Sequence, residues 1–149
     1  MGCLFKEAER EHLKSHKMMR SWSEISSRDL RVKGHKVLNC KWVYVYKFNK
    51  HSRFIKAKAR LIVQGDEQLK GFTESNYTAT LAGRSFRMLI AIAARFDLEL
   101  LQYDAVNAFV NAKLKEDVFM KMPPGYRRKG TILKLNKALY GLQKSPLLW

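Results

Sequence analysis

Cysteine is scarce in this chain. Cys3 and Cys40 are the two among 149 residues, and neither a CxxC pair nor a Cys/His cluster occurs. A disulfide framework and a zinc site are therefore not expected. No apolar run reaches the roughly 20 residues that span a bilayer, and the first residues are charged rather than signal-like. The opening Met-Gly-Cys-Leu-Phe-Lys puts Lys6 where the myristoylation pattern needs Ser or Thr. These absences predict a soluble, intracellular chain with no membrane partner, and they do not choose between cytoplasm and nucleus. Acidic residues are few as well: 13 against 29 Lys and Arg, a net charge of +16. An excess of this size points to a polyanion, most often nucleic acid. No Asp-Asp pair occurs anywhere.

The distribution of charge sharpens that expectation. The net charge is +4 over residues 1–36, +6 over 37–72, −1 over 73–112 and +7 over 113–149. Two basic stretches thus flank a block that is not basic and that contains Asp104. A cation site between polyanion-binding surfaces has this pattern, and so does a core segment between solvated ones. A hydrophobic content of 46% suits one globular domain or a piece of a larger one.

Periodicity gives the elements. Phe5, Ala8, His12 and Leu13 fall near one face of a helix over 5–19. His12 and His16 lie one turn apart without a third ligand nearby, which predicts ordinary surface histidines. Residues 26–36 read as a loop or short strand. Residues 41–48, KWVYVYKF, are aromatic and β-branched and predict a strand. Asn49-Lys50-His51-Ser52 is turn-like, and 54–63, FIKAKARLIV, predicts the second strand of a hairpin. Alternation puts Lys56, Lys58 and Arg60 on one face and Ile55, Ala57, Ala59, Leu61 and Val63 on the other. Such a cationic face suits phosphate binding, although exposed lysines also protect sheet edges.

Residues 64–80 read as a polar loop. Ser85 is a candidate cap for a helix over 85–96, whose apolar residues predict burial. Arg84 and Arg87 at its start oppose the helix dipole. Residues 98–104, LELLQYD, predict a strand entering the core, and 105–114 a short helix. Val118, Met120 and Met122 alternate in a strand ending at Pro123-Pro124-Gly125. Residues 132–135 predict another strand, 137–141 lead into a loop, and Pro146 opens a helix. Asp104 closes an apolar strand beside a turn, where a carboxylate can reach a divalent cation. Magnesium needs further oxygen ligands and substrate phosphates, so one aspartate binds it poorly. A lone aspartate at a strand end is otherwise a cap or turn residue.

The ordered blocks KWVYVYKFN, KAKARLIVQG, QYDAVNAFVNAKL, EDVFMKMPPGY and KALYGLQKSPLLW, with FKEAEREHL near the start, resemble the reverse transcriptase of copia-type LTR retrotransposons. The resemblance spans nearly the whole chain. It implies an α+β fold, with a fingers β-hairpin and helices followed by an incomplete antiparallel palm sheet. Residues 1–36 would be a helical lead-in, 37–84 the fingers and 85–149 the start of the palm. The family activity is template-directed DNA synthesis from dNTPs on RNA or DNA, by two-metal nucleotidyl transfer.

By position, Asp104 matches the first catalytic, Mg2+-binding palm aspartate, and the backbone carbonyl of Ala105 a further metal ligand. Phe109 matches the steric gate against a ribose 2′-hydroxyl. Lys58 or Arg60 matches the cation that holds the incoming triphosphate. Gly141, Gln143 and Lys144 fall in the segment that meets nucleic acid beside the nascent base pair. The implied partners are an RNA/DNA template-primer, dNTPs and the remainder of a polyprotein. The chain departs from the family at Ala79-Thr80, where Pro-Val is common, at Ala112, where Gly is common, and in the order Gln143-Lys144. The family's paired palm aspartates are expected beyond Trp149, which predicts a chain inactive on its own. The other reading is a non-catalytic relic that at most binds nucleic acid through its basic surface.

Overall fold

The computed structural model describes residues 2–68, 81–105 and 107–148. The chain runs α1 (Gly2–Met18), β1 (Trp22–Ser26), β2 (Val37–Leu38), β3 (Cys40–Phe48), β4 (Phe54–Val63), α2 (Gly83–Arg95), β5 (Lys113–Lys121), β6 (Thr131–Lys137) and α3 (Ser145–Leu148). Strands β3 and β4 form an antiparallel hairpin, and the other four form a sheet in the order β1-β6-β5-β2. That sheet is mixed: β1, β6 and β5 pair antiparallel, whereas β2 lies parallel to β5. Helices beside mixed sheets make the fold α+β.

The core lies between the sheet and the base of the hairpin. Leu38, Cys40, Leu61, Val63, Val110, Met120, Met122, Leu133 and Leu135 are buried together there, with Leu139 and Leu142 from the segment after β6. Strands β5 and β6 reach this core by the alternation expected of them: Met120 and Met122, then Leu133 and Leu135, point the same way. Trp42 closes the hairpin side, its indole Nε1 donating to the Pro124 carbonyl at 3.1 Å.

A two-stranded hairpin is marginal in water unless a face is covered, and α1 covers one. Phe5 packs against Tyr44 and Tyr46, both with ring centroids at 4.8 Å. The Tyr44 hydroxyl donates to Glu9 at 2.5 Å. One turn further on, His12 stands edge-on to Trp42, and its Nε2 accepts the Leu61 backbone N–H at 3.2 Å. His16 is buried, stacks on Trp22 at 5.0 Å and bonds Ser21 Oγ at 3.0 Å. The surface placement expected of this histidine pair is thus overturned. Helical spacing aims His12 at Trp42 and the Leu61 N–H of the hairpin and His16 at Trp22 of β1.

A second lock holds the end of β4. Val63 N–H donates to the Tyr140 carbonyl at 2.8 Å. Gly141 follows with φ +94°, and a Cβ there would sit 2.0 Å from the Val63 carbonyl oxygen. Gly65 is equally tight, since its Cβ would lie 2.1 Å from the Gly141 oxygen. Gly141 is therefore required twice, for its left-handed backbone and for its contact.

Other expectations need correcting. Strand β1 was not foreseen, because Trp22 and Ile25 alone give no strand period; its partner β6 lies more than a hundred residues away. Ser85 does not cap α2: the N-cap position is Ala82, without a side-chain bond, and the helix begins at Gly83. Nor is α2 buried. Phe86, Met88, Leu89, Ile90 and Ile92 are exposed, and Ala93 is the one buried residue of the helix. Residues 98–104 form no strand, and Leu98, Leu100, Leu101 and Tyr103 are exposed. A strand needs a pairing edge, and among the described residues none is offered to this segment. The region 105–114 forms a short 3₁₀ turn (Ala108–Asn111) rather than an α-helix, and β5 begins at Lys113. The loop expected over 64–80 is a 3₁₀ turn at Gly65–Glu67, and from 69 to 80 it lies outside the described residues.

Two predictions follow from α1 and Gly141. Burial, then the nearby Lys58 and Arg60, lowers the His12 imidazole to about 4. Burial, then His12, lowers His16 to about 3. Unfolded histidine titrates near 6.5, so between that value and roughly pH 4 the unfolded chain binds more protons. The stabilisation is whole above pH ~6.5 and declines with acid, by on the order of 2 kcal/mol near pH ~4.5 after allowance for screening at the partly exposed His12. Urea midpoints should fall over this window, and His12→Gln, whose Oε1 can still accept the Leu61 N–H, should flatten the profile. A midpoint independent of pH there would contradict the buried neutral pair. Gly141→Ala should cost about 2–4 kcal/mol by the same assay, and a loss below roughly 1 kcal/mol would contradict the lock.

Candidate nucleotide and nucleic-acid site

The face of the hairpin away from α1 is cationic. Register places Val43 opposite Arg60, Val45 opposite Lys58, Lys47 opposite Lys56 and Lys41 opposite Ile62. Side chains alternate, so Lys41 and Lys47 join Lys56, Lys58 and Arg60 on one face. Sequence reasoning saw the three on β4 and missed the two on β3, although the parity of β3 carried the signal. Like charges directly opposite, as at Lys47 and Lys56, are unfavourable in a bare sheet. Lys58 records the strain: its ammonium is pushed below the usual lysine range by burial first, then by Arg60, Lys47 and Lys56. Asp104 acts in the opposite direction and favours the charged form. A bound polyanion would relieve the same repulsion.

An aromatic stack closes the inner end of this face. The Arg60 guanidinium lies 5.7 Å from the centroid of the Tyr140 ring. Tyr140 in turn meets Phe109 edge-on at 4.7 Å. Phe109 sits in the 3₁₀ turn, entered through Asn107 at φ 52°, a left-handed conformation that asparagine tolerates better than most residues. The Asn107 amide donates to Ser15 Oγ at 3.2 Å, which ties the turn to α1. Tyr140 was not singled out in the sequence; its part comes from long-range packing that no local pattern announces.

The structure therefore brings Lys58, Arg60 and Phe109 to one region, with Asp104 within electrostatic reach of Lys58. Asp104 and Ala105 are exposed and lie in no regular element. Gly141, Gln143 and Lys144 are adjacent but already have intramolecular partners. Gly141 grips Val63. The Gln143 side chain donates to the Gly65 carbonyl at 3.0 Å, and its backbone N–H donates to Gln68 Oε1 at 3.2 Å. Lys144 Nζ pairs with Glu116 at 2.7 Å. Among the described residues no group of three or more His, Cys, Asp or Glu side chains is placed to hold a metal ion. No helix of the described residues is long and apolar enough to cross a membrane.

Comparison with known proteins identifies the chain's relatives. The family described as "Reverse transcriptase (RNA-dependent DNA polymerase)" matches residues 28–149. The retrovirus-related Pol polyprotein from transposon TNT 1-94 of Nicotiana tabacum is 37% identical over 121 residues, covering 78% of this chain and 9% of the relative. Those from transposons RE1 and RE2 of Arabidopsis thaliana are 32% and 30% identical over 117 residues, 76% of this chain and 8% of each relative. The chain thus spans less than a tenth of the length of these relatives. No solved structure matches it. A family match over residues 28–149, with relatives 30–37% identical over most of the chain, means that the chain belongs to the reverse transcriptases of copia-type retrotransposon Pol polyproteins.

Proposed function

We propose that this chain supplies the nucleotide-gripping part of an RNA-directed DNA polymerase within a larger polyprotein. The observation that carries the reading is the cationic hairpin face, closed by the Arg60–Tyr140–Phe109 stack and flanked by Asp104. In this reading residues 37–84 are the fingers, 85–149 begin the palm, and 1–36 lead in and buttress the hairpin. Lys58 and Arg60 neutralise the triphosphate of an incoming dNTP, Lys as a compact charge and Arg as a fork. Phe109, held by Tyr140, occupies the place where a 2′-hydroxyl would collide. Gly141 acts through the backbone, setting the course of the segment that carries Gln143 and Lys144 towards nucleic acid. The partners are template-primer, dNTPs and the rest of the polyprotein, inside the cell.

Asp104 is assigned as the first palm aspartate and the Ala105 carbonyl as its companion. The described residues do not by themselves fit a magnesium site, because no group of three or more His, Cys, Asp or Glu side chains is gathered among them and Asp104 lies within electrostatic reach of Lys58. Mg2+ chemistry belongs to the polymerase that further carboxylates complete. The second reading, a relic that binds nucleic acid without catalysis, is favoured by the exposed α2 and by the absence of a strand at 98–104. Both readings give the same expectation for the isolated chain.

The purified chain should bind single strands and duplexes with little sequence preference and with steep salt dependence. Lys58→Gln/Arg60→Gln should lower the salt slope by roughly 2, about one per cation removed from phosphate. It should not extend a primer. Magnesium-dependent dNTP incorporation that Asp104→Asn abolishes would show the isolated chain to be an enzyme, and binding indifferent to salt would remove the polyanion reading altogether.

A further inference from the structure

On the α1 side of the hairpin, away from the face that bears Lys58 and Arg60, there is a cleft of about 530 Å³ between α1, β1, β6 and the loop after β5. That size lies within the range of small-ligand sites, roughly 300–1,000 Å³. Its floor is apolar, with Leu13 of α1 and Leu133 of β6. Its walls include the rings of Trp22 and Tyr126. Its charged lining is three cations, Lys17, Arg20 and Arg128, against one carboxylate, Glu24. Flat aromatic surface beside several cations is the combination that takes a base and its phosphates.

The rings are held in place. Trp22 stacks one face on His16, with the planes 12° apart, and Tyr126 meets Trp42 edge-on at 6.4 Å. Preorganised rings lose little entropy on binding. The Arg20 backbone is fixed as well: it has φ 50° and caps the end of α1 in the left-handed position, with the Ser21 N–H bonded to the His16 carbonyl at 3.0 Å. Arg128 pairs with Glu24, but both side chains are more than half exposed. Exposed pairs are weak and exchange readily for a better anion.

We propose that this cleft binds one unpaired base of a single-stranded nucleic acid, its ring against Trp22 and Tyr126 and its flanking phosphates on Lys17, Arg20 and Arg128. The site is separate from the hairpin face, so one strand can engage the chain at two places. An acidic peptide would satisfy the cations but would leave the aromatic walls without a flat partner.

A short single-stranded oligodeoxynucleotide carrying 5-iodouracil, photocrosslinked to the full chain and mapped by mass spectrometry, tests the proposal. Adducts are expected on Trp22 or Tyr126. Lys17→Gln/Arg20→Gln, both exposed positions that leave the core intact, should reduce them by about fivefold or more, whereas Lys58→Gln/Arg60→Gln should reduce only adducts on Tyr140 or Phe109, the rings beside the cationic face. An abasic strand of the same length should compete roughly tenfold less well for the cleft adducts. Adducts confined to Tyr140 and Phe109, equal competition by the abasic strand, or better competition by an acidic tyrosine-containing peptide would each overturn the cleft assignment. The first of these would leave the hairpin reading standing; loss of every adduct would overturn both.

Discussion

The docking of α1 across the hairpin is the contact on which the rest depends. Strands β3 and β4 have two faces with opposite chemistry. Tyr44, Tyr46, Ala59 and Leu61 need cover, while Lys56, Lys58 and Arg60 need water or an anion. Helix α1 covers the base of the first face, where Ala59 and Leu61 are buried, and leaves Tyr44 and Tyr46 partly exposed; at Leu61 its His12 also satisfies a backbone N–H that no strand partner takes. An unsatisfied buried N–H costs about 1–3 kcal/mol, so the histidine does more than fill space. Because His12 must remain neutral to accept that bond, the burial and the positive field that depress its basicity also support the fold.

The docked face gives the cationic one its direction. Five cations share a surface on which, among the described residues, Asp104 favours the charged form of Lys58. The repulsion is tolerable because α1 and the Val63–Tyr140 lock hold the hairpin from behind and below. A surface with this much like charge attracts anions. Arg60 is further constrained by the Tyr140 ring, which links the cationic face to Phe109. The same segment that supplies Tyr140 supplies Gly141, so the positioning of the site and the closure of the core rest on adjacent residues.

Much of this was legible along the chain wherever the deciding contacts are local. Strand alternation in 54–63 separated the cations from the apolar residues, and the Asn49–Ser52 turn fixed the hairpin. The motif blocks gave the family outright. What escaped was long-range. Strand β1 exists because β6 offers an edge. Tyr140 matters because Arg60 reaches it, and His12 and His16 are structural because aromatic residues face them. Helix α2 and residues 98–104 failed in the other direction: their apolar pattern announces burial, but a pattern states only what a segment needs. Among the described residues nothing covers them. Asp104 lies at the end of this stretch, which is why its neighbours in sequence describe its family role better than its surroundings do.

The central claim is that the base of the hairpin is docked on α1 and locked at Val63, with a cationic face on the other side. Native-state amide hydrogen exchange tests it residue by residue. The Leu61 and Val63 amides, which point away from β3 towards His12 and Tyr140, should exchange only with global unfolding, while amides of α2 exchange far faster through local opening. Exchange at Leu61 and Val63 as fast as in α2 would mean that neither α1 nor the Tyr140–Gly141 segment is docked, and would contradict the account.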